Sequence, residues 1–356
     1  MDHDLDLLMD GPALTAALVD IASVSGNEGP LADAIERALR GLPHLEVTRH
    51  GNTVVARTAL GRNERVVLAG HIDTVPHAGN FPSQWDAERV RLYGVGTTDM
   101  KSGVAVQLRL AATIPEPNRD ITYVFYECEE VDVAQNGLYL LSRSAPELLA
   151  GDFAILLEPS GGAVEGGCQG TLRAAITARG ARAHTARSWM GKNAIHEAGA
   201  ILDALRAWQP RKPVVDGLQY HEGLNAVEVS GGVAGNVVPD ECTVTVNYRY
   251  APDTSAEQAE AYIRDLFPAW EVTILDNAPG ARPGLTAPLA AAFLAATGGE
   301  PRAKLGWTDV ARFAELGIPA VNFGPGIPEI AHTQGEYVEA APVIAAEQSL
   351  TAWLIA

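Results

Sequence analysis

RVVLAGHIDTVP, residues 65–76, sets six residues of strand-like composition directly before a histidine and an aspartate. Short apolar runs of this length suit buried strands of an α/β sheet. Two more follow the same plan: ITYVFY (121–126) leads into Glu127-Cys128-Glu129-Glu130, and FAILLE (153–158) ends on Glu158. Sites in open α/β sheets collect at the carboxyl ends of strands, so these acids and His71 are expected on one rim.

Working outward, residues 170 to 280 change texture. LRAAITA (172–178) reads as a strand and about Asn193 to Trp208 as a helix. Strands are expected near 225–232 and 241–249, and a second helix from Ser255. The β-α-β-β-α-β order predicts an α+β ferredoxin-like module, with GGCQG (166–170) and NAPGARPG (277–284) as crossings into and out of it. Beyond it, AVNFG (320–324) and His332 resume the strand-then-ligand style. The expected fold is α/β: one catalytic domain, 1–169 and 282–356, with a mixed central sheet flanked by helices, interrupted by an inserted module at 170–281.

In His71-Ile72-Asp73 the residues two apart on an extended segment project to one side, so the carboxylate of Asp73 can fix the imidazole of His71. Gly94-Val-Gly-Thr-Thr-Asp99-Met-Lys-Ser-Gly103 is a glycine-rich turn that delivers one aspartate ahead of a helix. It lacks the third glycine of a dinucleotide fingerprint and the GKS or GKT of a P-loop. A carboxylate on such a turn can bridge two cations. In Glu129-Glu130 adjacent side chains diverge, so one can ligate while the other faces substrate. Each cluster alone has an ordinary reading as a polar strand end or an acidic turn. Together, two histidines and three carboxylates form a nitrogen and oxygen donor set that favours zinc or a similar divalent ion. A pair of ions accounts for the number of donors: His71 and Glu158 on one, Glu130 and His332 on the other, Asp99 shared.

With these residues assembled, the chain resembles the zinc aminoacylase and carboxypeptidase family over essentially its whole length. The family order is HxD, a glycine-rich turn ending in Asp-Met-Lys, a Glu-Glu pair, a Glu-Pro strand end and a late histidine, and all five occur here in that order. The resemblance implies a metal-dependent amidohydrolase with two zinc ions per subunit, cobalt being a possible substitute. It implies ligands His71, Asp99, Glu130, Glu158 and His332, Glu129 as general base and Asp73 as the orienting group. Gly180-Ala-Arg-Ala-His184 and Gly191-Lys-Asn-Ala194 look like the segment whose histidine reaches into the partner's site. That implies a homodimer through the inserted module and an oxyanion-donating role for His184.

A nearer likeness is to the actinobacterial branch that hydrolyses N-succinyl-LL-2,6-diaminopimelate in lysine and diaminopimelate biosynthesis. Asn236-Val-Val-Pro239, Val246-Asn-Tyr-Arg249 and Thr308-Asp309 with Arg312-Phe313 carry it. A substrate with carboxylates at both ends calls for forked guanidinium groups. Arg249 and Arg312 lead, with Asn236, Thr308, Arg173 and Arg187 as further substrate contacts. Arg187 stands where the proteobacterial pattern has tyrosine, and one extra residue separates Asp309 from Arg312. A related deacylase or peptidase, such as an acetylornithine deacetylase, dipeptidase or carboxypeptidase, would keep every metal residue. A noncatalytic binding protein on the same fold would be expected to lose a ligand or the base, and no GxSxG elbow marks a serine hydrolase.

Composition agrees with this class. The chain has 356 residues, 47% of them hydrophobic, and a formal net charge of −18. It can bury two cores, and its field repels nucleic acid and anionic lipid. Three cysteines without CxxC spacing suggest neither a disulfide framework nor a cysteine metal site. The acidic start MDHDLDLL has no basic or apolar leader pattern, which together with the absence of long apolar runs leads to an expected cytoplasmic location.

Overall fold

The computed structural model describes residues 4–356; the sequence reading at residues 1–3 lies outside them. The chain divides into two compact units. The larger runs through Gly166 and adds Pro283–Arg302 and Arg312–Ala356; the smaller is Gly167–Arg282 with Ala303–Ala311. The stretch 303–311 clusters with the smaller unit, where expectation had it with the larger. Within that unit the Trp307 indole N–H donates to the Pro279 carbonyl at 3.1 Å, and the Cys168 thiol reaches the Thr308 carbonyl at 3.6 Å.

Eight strands form a mixed sheet in the order 46–50, 53–57, 120–126, 65–71, 153–156, 320–322, 165–166, 302–303, all of them within the larger unit up to Arg302. Strands 120–126, 65–71, 153–156 and 320–322 run parallel to their neighbours in that order. As expected of such strands, 120–126 is buried along its entire length. Helices Gly11–Val19, Ser102–Thr113 and Ala340–Ile355 pack on one another. The first starts where the Asp10 carboxylate caps the Ala13 N–H, with Pro12 in its first turn. The second passes so close to strand 153–156 that a Cβ on Gly103 would run into the Leu157 carbonyl, so only glycine fits there.

Register is pinned at the amino end of strand 120–126 by Asp120. Its buried carboxylate accepts from the Thr58 hydroxyl at 2.7 Å and from the Leu60 and Arg62 N–H groups at 2.9 and 2.8 Å. Burial alone would raise this carboxyl; the three donors outweigh it and hold it below its ordinary 3.8. Asp120→Ala is expected to cost about 3 kcal/mol by orphaning buried donors, read as a lowered urea midpoint. Because the folded group is the stronger acid, its contribution is complete above the unfolded value and fades as pH falls below it.

The smaller unit has a four-stranded antiparallel sheet, order 223–231, 241–250, 170–179, 271–278. Helix Ala194–Ala207 follows its first strand in sequence and Ala256–Leu266 precedes its last, giving the ferredoxin-like order. Leu172, Ala174, Ile176 and Ala178 alternate into a core with Val244, Val246, Ile201 and Ile263. Asn193 caps the first helix, and a Ser255–Gln258 capping box starts the second.

Candidate metal centre

Strand register assembles this site. Ala69 lies opposite Leu156 on one side and Val124 on the other, so the chain two residues further on presents His71, Tyr126 and Glu158 at one level. The last strand ends at Leu156, not at Glu158 as the apolar run suggested. Leu157 still donates to the Ala69 carbonyl at 3.0 Å, and the buried Glu158 follows just past the ladder. Strand 320–322 flanks 153–156 in parallel and leads to His332, which sits at φ +61°.

Asp99 stands between the histidines. Its Oδ1 is 3.1 Å from His71 Nε2, and its Oδ2 is 3.4 Å from His332 Nε2. His332 Nε2 also lies 2.6 Å from Glu130 Oε1. Donor atoms of His71, Asp99 and Glu130 fall within 4.8 Å of one another. One carboxylate aimed with one oxygen at each of two imidazoles is the disposition of a group shared by two cations, and the oxygen and nitrogen set fits divalent ions.

The electrostatics agree. Burial lowers His71, but hydrogen bonds with Asp73 and Asp99 outweigh it and raise the imidazole well above its ordinary range. Asp99 and Glu130 push His332 up to about 10 against a smaller burial effect. Burial raises Asp99, yet the two imidazoles bring its carboxyl far below the usual range. The cluster therefore calls for positive charge, supplied by protons on the histidines or by cations in their place.

Further groups hold the site's loops. His71 Nδ1 faces the Asp73 carbonyl at 3.1 Å and its carboxylate at 3.4 Å. Asp73 also accepts the Glu129 and Glu130 N–H groups, at 3.0 and 3.1 Å, and the Ser25 hydroxyl at 2.7 Å. Preceding these glutamates, Cys128 sits at φ +58°, a backbone state that costs a non-glycine residue about 1–3 kcal/mol. Its buried thiol donates to Glu28 at 3.3 Å, and burial together with that carboxylate pushes it up to about 12, so it is a donor and not a thiolate ligand. Glu336 accepts from the Thr98 and Asp99 N–H groups at 2.9 and 3.2 Å. The buried Lys101 ammonium bonds the Leu18 and Ile21 carbonyls at 3.0 and 2.9 Å. No local pattern marks Glu28, Ser25 or Glu336 in the sequence, and Lys101 stands out only as part of the Asp-Met-Lys pattern.

The profile of Peptidase family M20/M25/M40 matches residues 67–355, the segment that contains all five candidate ligands. The chain belongs to that family. As an M20 peptidase-family protein it is a metal-dependent hydrolase, and His71, Asp99 and Glu130 form a group that could hold a metal ion. Among named relatives, a putative succinyl-diaminopimelate desuccinylase DapE of Mycobacterium tuberculosis is 53% identical over 98% of this chain and 99% of its own. The succinyl-diaminopimelate desuccinylase of Corynebacterium glutamicum is 48% identical, over 93% and 92%. A tripeptidase structure from Staphylococcus aureus superimposes with a TM-score of 0.79 at 22% identity, covering 96% of this chain and 95% of its own, a likeness of fold.

The remaining candidates fall in both units. In the larger, Arg312 is buried with its guanidinium 4.9 Å from the Tyr139 ring centre and 3.3 Å from Glu315. In the smaller, Arg249 is half-buried, donates to Asn247 at 3.1 Å, and is lowered by that burial. Arg173 pairs with Asp276 at 2.5 Å, and Thr308 is buried. His184, Arg187 and Asn236 are exposed, and His184 Nδ1 accepts the Ala186 N–H at 3.0 Å. Among the described residues no helix is long and apolar enough to cross a membrane.

Proposed function

We propose that this protein hydrolyses N-succinyl-LL-2,6-diaminopimelate to succinate and LL-2,6-diaminopimelate, as a two-zinc amidohydrolase of cytoplasmic lysine and diaminopimelate biosynthesis. The observation that carries this reading is the 53% and 48% identity, over more than nine-tenths of each chain, to relatives bearing that activity's name.

His71 and Glu158 would hold one ion, Glu130 and His332 the other, and Asp99 both. When bound, the zinc ions would acidify the attacking water and polarise the amide carbonyl. Glu129 takes the proton from that water as it adds to the succinyl carbonyl. It then gives the proton to the departing amine nitrogen as the C–N bond breaks. Asp73 keeps this base and the neighbouring ligand apart in direction by gripping both their amides. His184 of the partner subunit donates to the oxyanion. Arg249 and Arg312 are the leading readers of the substrate carboxylates, with Asn236, Thr308, Arg173 and Arg187 as further contacts.

Turnover of N-succinyl-LL-2,6-diaminopimelate is to be measured beside N-acetylornithine and a dipeptide. Preference for either of the latter overturns the substrate. Chelation with EDTA should abolish activity and zinc or cobalt should restore it; indifference to EDTA sinks the metal reading.

The homodimer is supported by the edge strand 223–231, which pairs on one side only, with 241–250, among the described residues. It exposes Val227 and Val229, and Val233 follows. Val229→Asp is expected to shift sedimentation from dimer to monomer; an unchanged dimer would move the interface elsewhere.

A further inference from the structure

We propose that Glu28 is a positioning residue for the reaction: its carboxylate holds Cys128 in the left-handed backbone conformation and thereby aims Glu129 and Glu130 at their separate tasks. This rests on the reading of Glu129 as base and Glu130 as ligand. One oxygen of Glu28 accepts three donors, the Gly26 N–H at 2.8 Å and the Cys128 N–H and thiol at 3.3 Å each. The next two amides along the chain, those of Glu129 and Glu130, go to Asp73. Three successive N–H groups starting at a left-handed residue form a concave anion-seeking turn. Here two side-chain carboxylates fill it. Asp73 fixes the direction of the two glutamates, and Glu28 fixes the turn from which they depart.

The placement of Glu28 argues against mere helix support. It occupies the cap position of helix Gly29–Arg40, where a short side chain such as Ser or Asp would receive an N–H from the first turn, and it makes no such bond. Its fully buried carboxylate instead joins Gly26 of its own loop to Cys128, one hundred positions away. Ser25, on the same loop, bonds Asp73 at 2.7 Å, so the two carboxylates are braced as one frame.

The test is a kinetic cycle with a metal-binding readout. Glu28→Ala should lower kcat about 10–100-fold, with KM within about twofold of the parent. Its metal-stripped form should bind divalent ions more weakly by calorimetry, because Glu130 leaves the same turn. Glu28→Gln, which keeps an oxygen acceptor, should retain most activity. The deciding variant is Cys128→Gly on the Glu28→Ala background: glycine adopts positive φ without strain, so kcat should recover, whereas Cys128→Ala on that background should not restore it. Parent-like kcat and metal affinity in folded Glu28→Ala would overturn the proposal, as would equal rescue by alanine and glycine. Should Glu28→Ala fail to fold, Glu28→Asp withdraws the carboxylate by one methylene, and parent-like kcat there overturns it as well. Ratios are taken against the parent's own turnover. An inactive parent therefore counts against the functional reading and leaves metal affinity to decide this one.

Discussion

Glu129→Gln is expected to lower kcat about 10²–10⁴-fold while divalent metal content and KM stay near those of the parent. The amide matches the carboxylate in size and cannot take up a proton at neutral pH. Glu129 N–H would still bond Asp73, so the turn keeps its shape and the loss isolates proton transfer. Neighbouring Glu130 cannot take over, because its carboxylate lies 2.6 Å from His332. Metal analysis beside steady-state rates checks the result. Near-normal turnover with metals bound would remove Glu129 from the base role; loss of metal together with rate would make it a ligand.

The second large effect is expected at Asp99. Asp99→Ala removes both oxygens, one facing each histidine, so affinity should fall at both sites by more than the 10- to 100-fold typical of a group outside the ligand set. Turnover at micromolar metal should fall with it. Ligand-linked stability gives a second measurement: saturating zinc should raise the Tm of the metal-stripped parent and leave that of Asp99→Ala nearly unchanged. Loss of one ion only would show that Asp99 is not shared.

Several features are legible in the sequence because they are local. The runs at 65–70, 121–126 and 153–158 announce strands by composition, the last overreaching the strand's end at Leu156, and acids at the end of such a run announce a rim. The ferredoxin-like order was likewise written in alternation and in the caps at Asn193 and Ser255. Relations carried by one hydrogen bond across a long interval were not readable. Glu28 meets Cys128 over 100 positions, and Glu336 meets Thr98 over 238. Each is a lone glutamate in sequence, like any solvated acid, until the fold supplies its donors. The grouping of 303–311 with the smaller unit is hidden from the sequence for the same reason. The attachment of this stretch depends on the Trp307 and Thr308 bonds to residues far earlier in the chain.

The parallel pairing of strand 320–322 with 153–156, across the whole smaller unit, bears on how the protein is made. During synthesis the ribosome must pass residue 332 before the final histidine of the cluster exists. By then the contiguous stretch 167–282 has emerged and, having its own core, has the means to fold first. The sheet of the larger unit, in contrast, closes only through contacts of long sequence separation, which form slowly. Nascent chains would thus carry isolated acids and one imidazole for much of translation, and the competent centre would arise as one of the last events of folding. Hydrolytic activity is therefore expected only after release of residue 332 and closure of the larger unit's sheet.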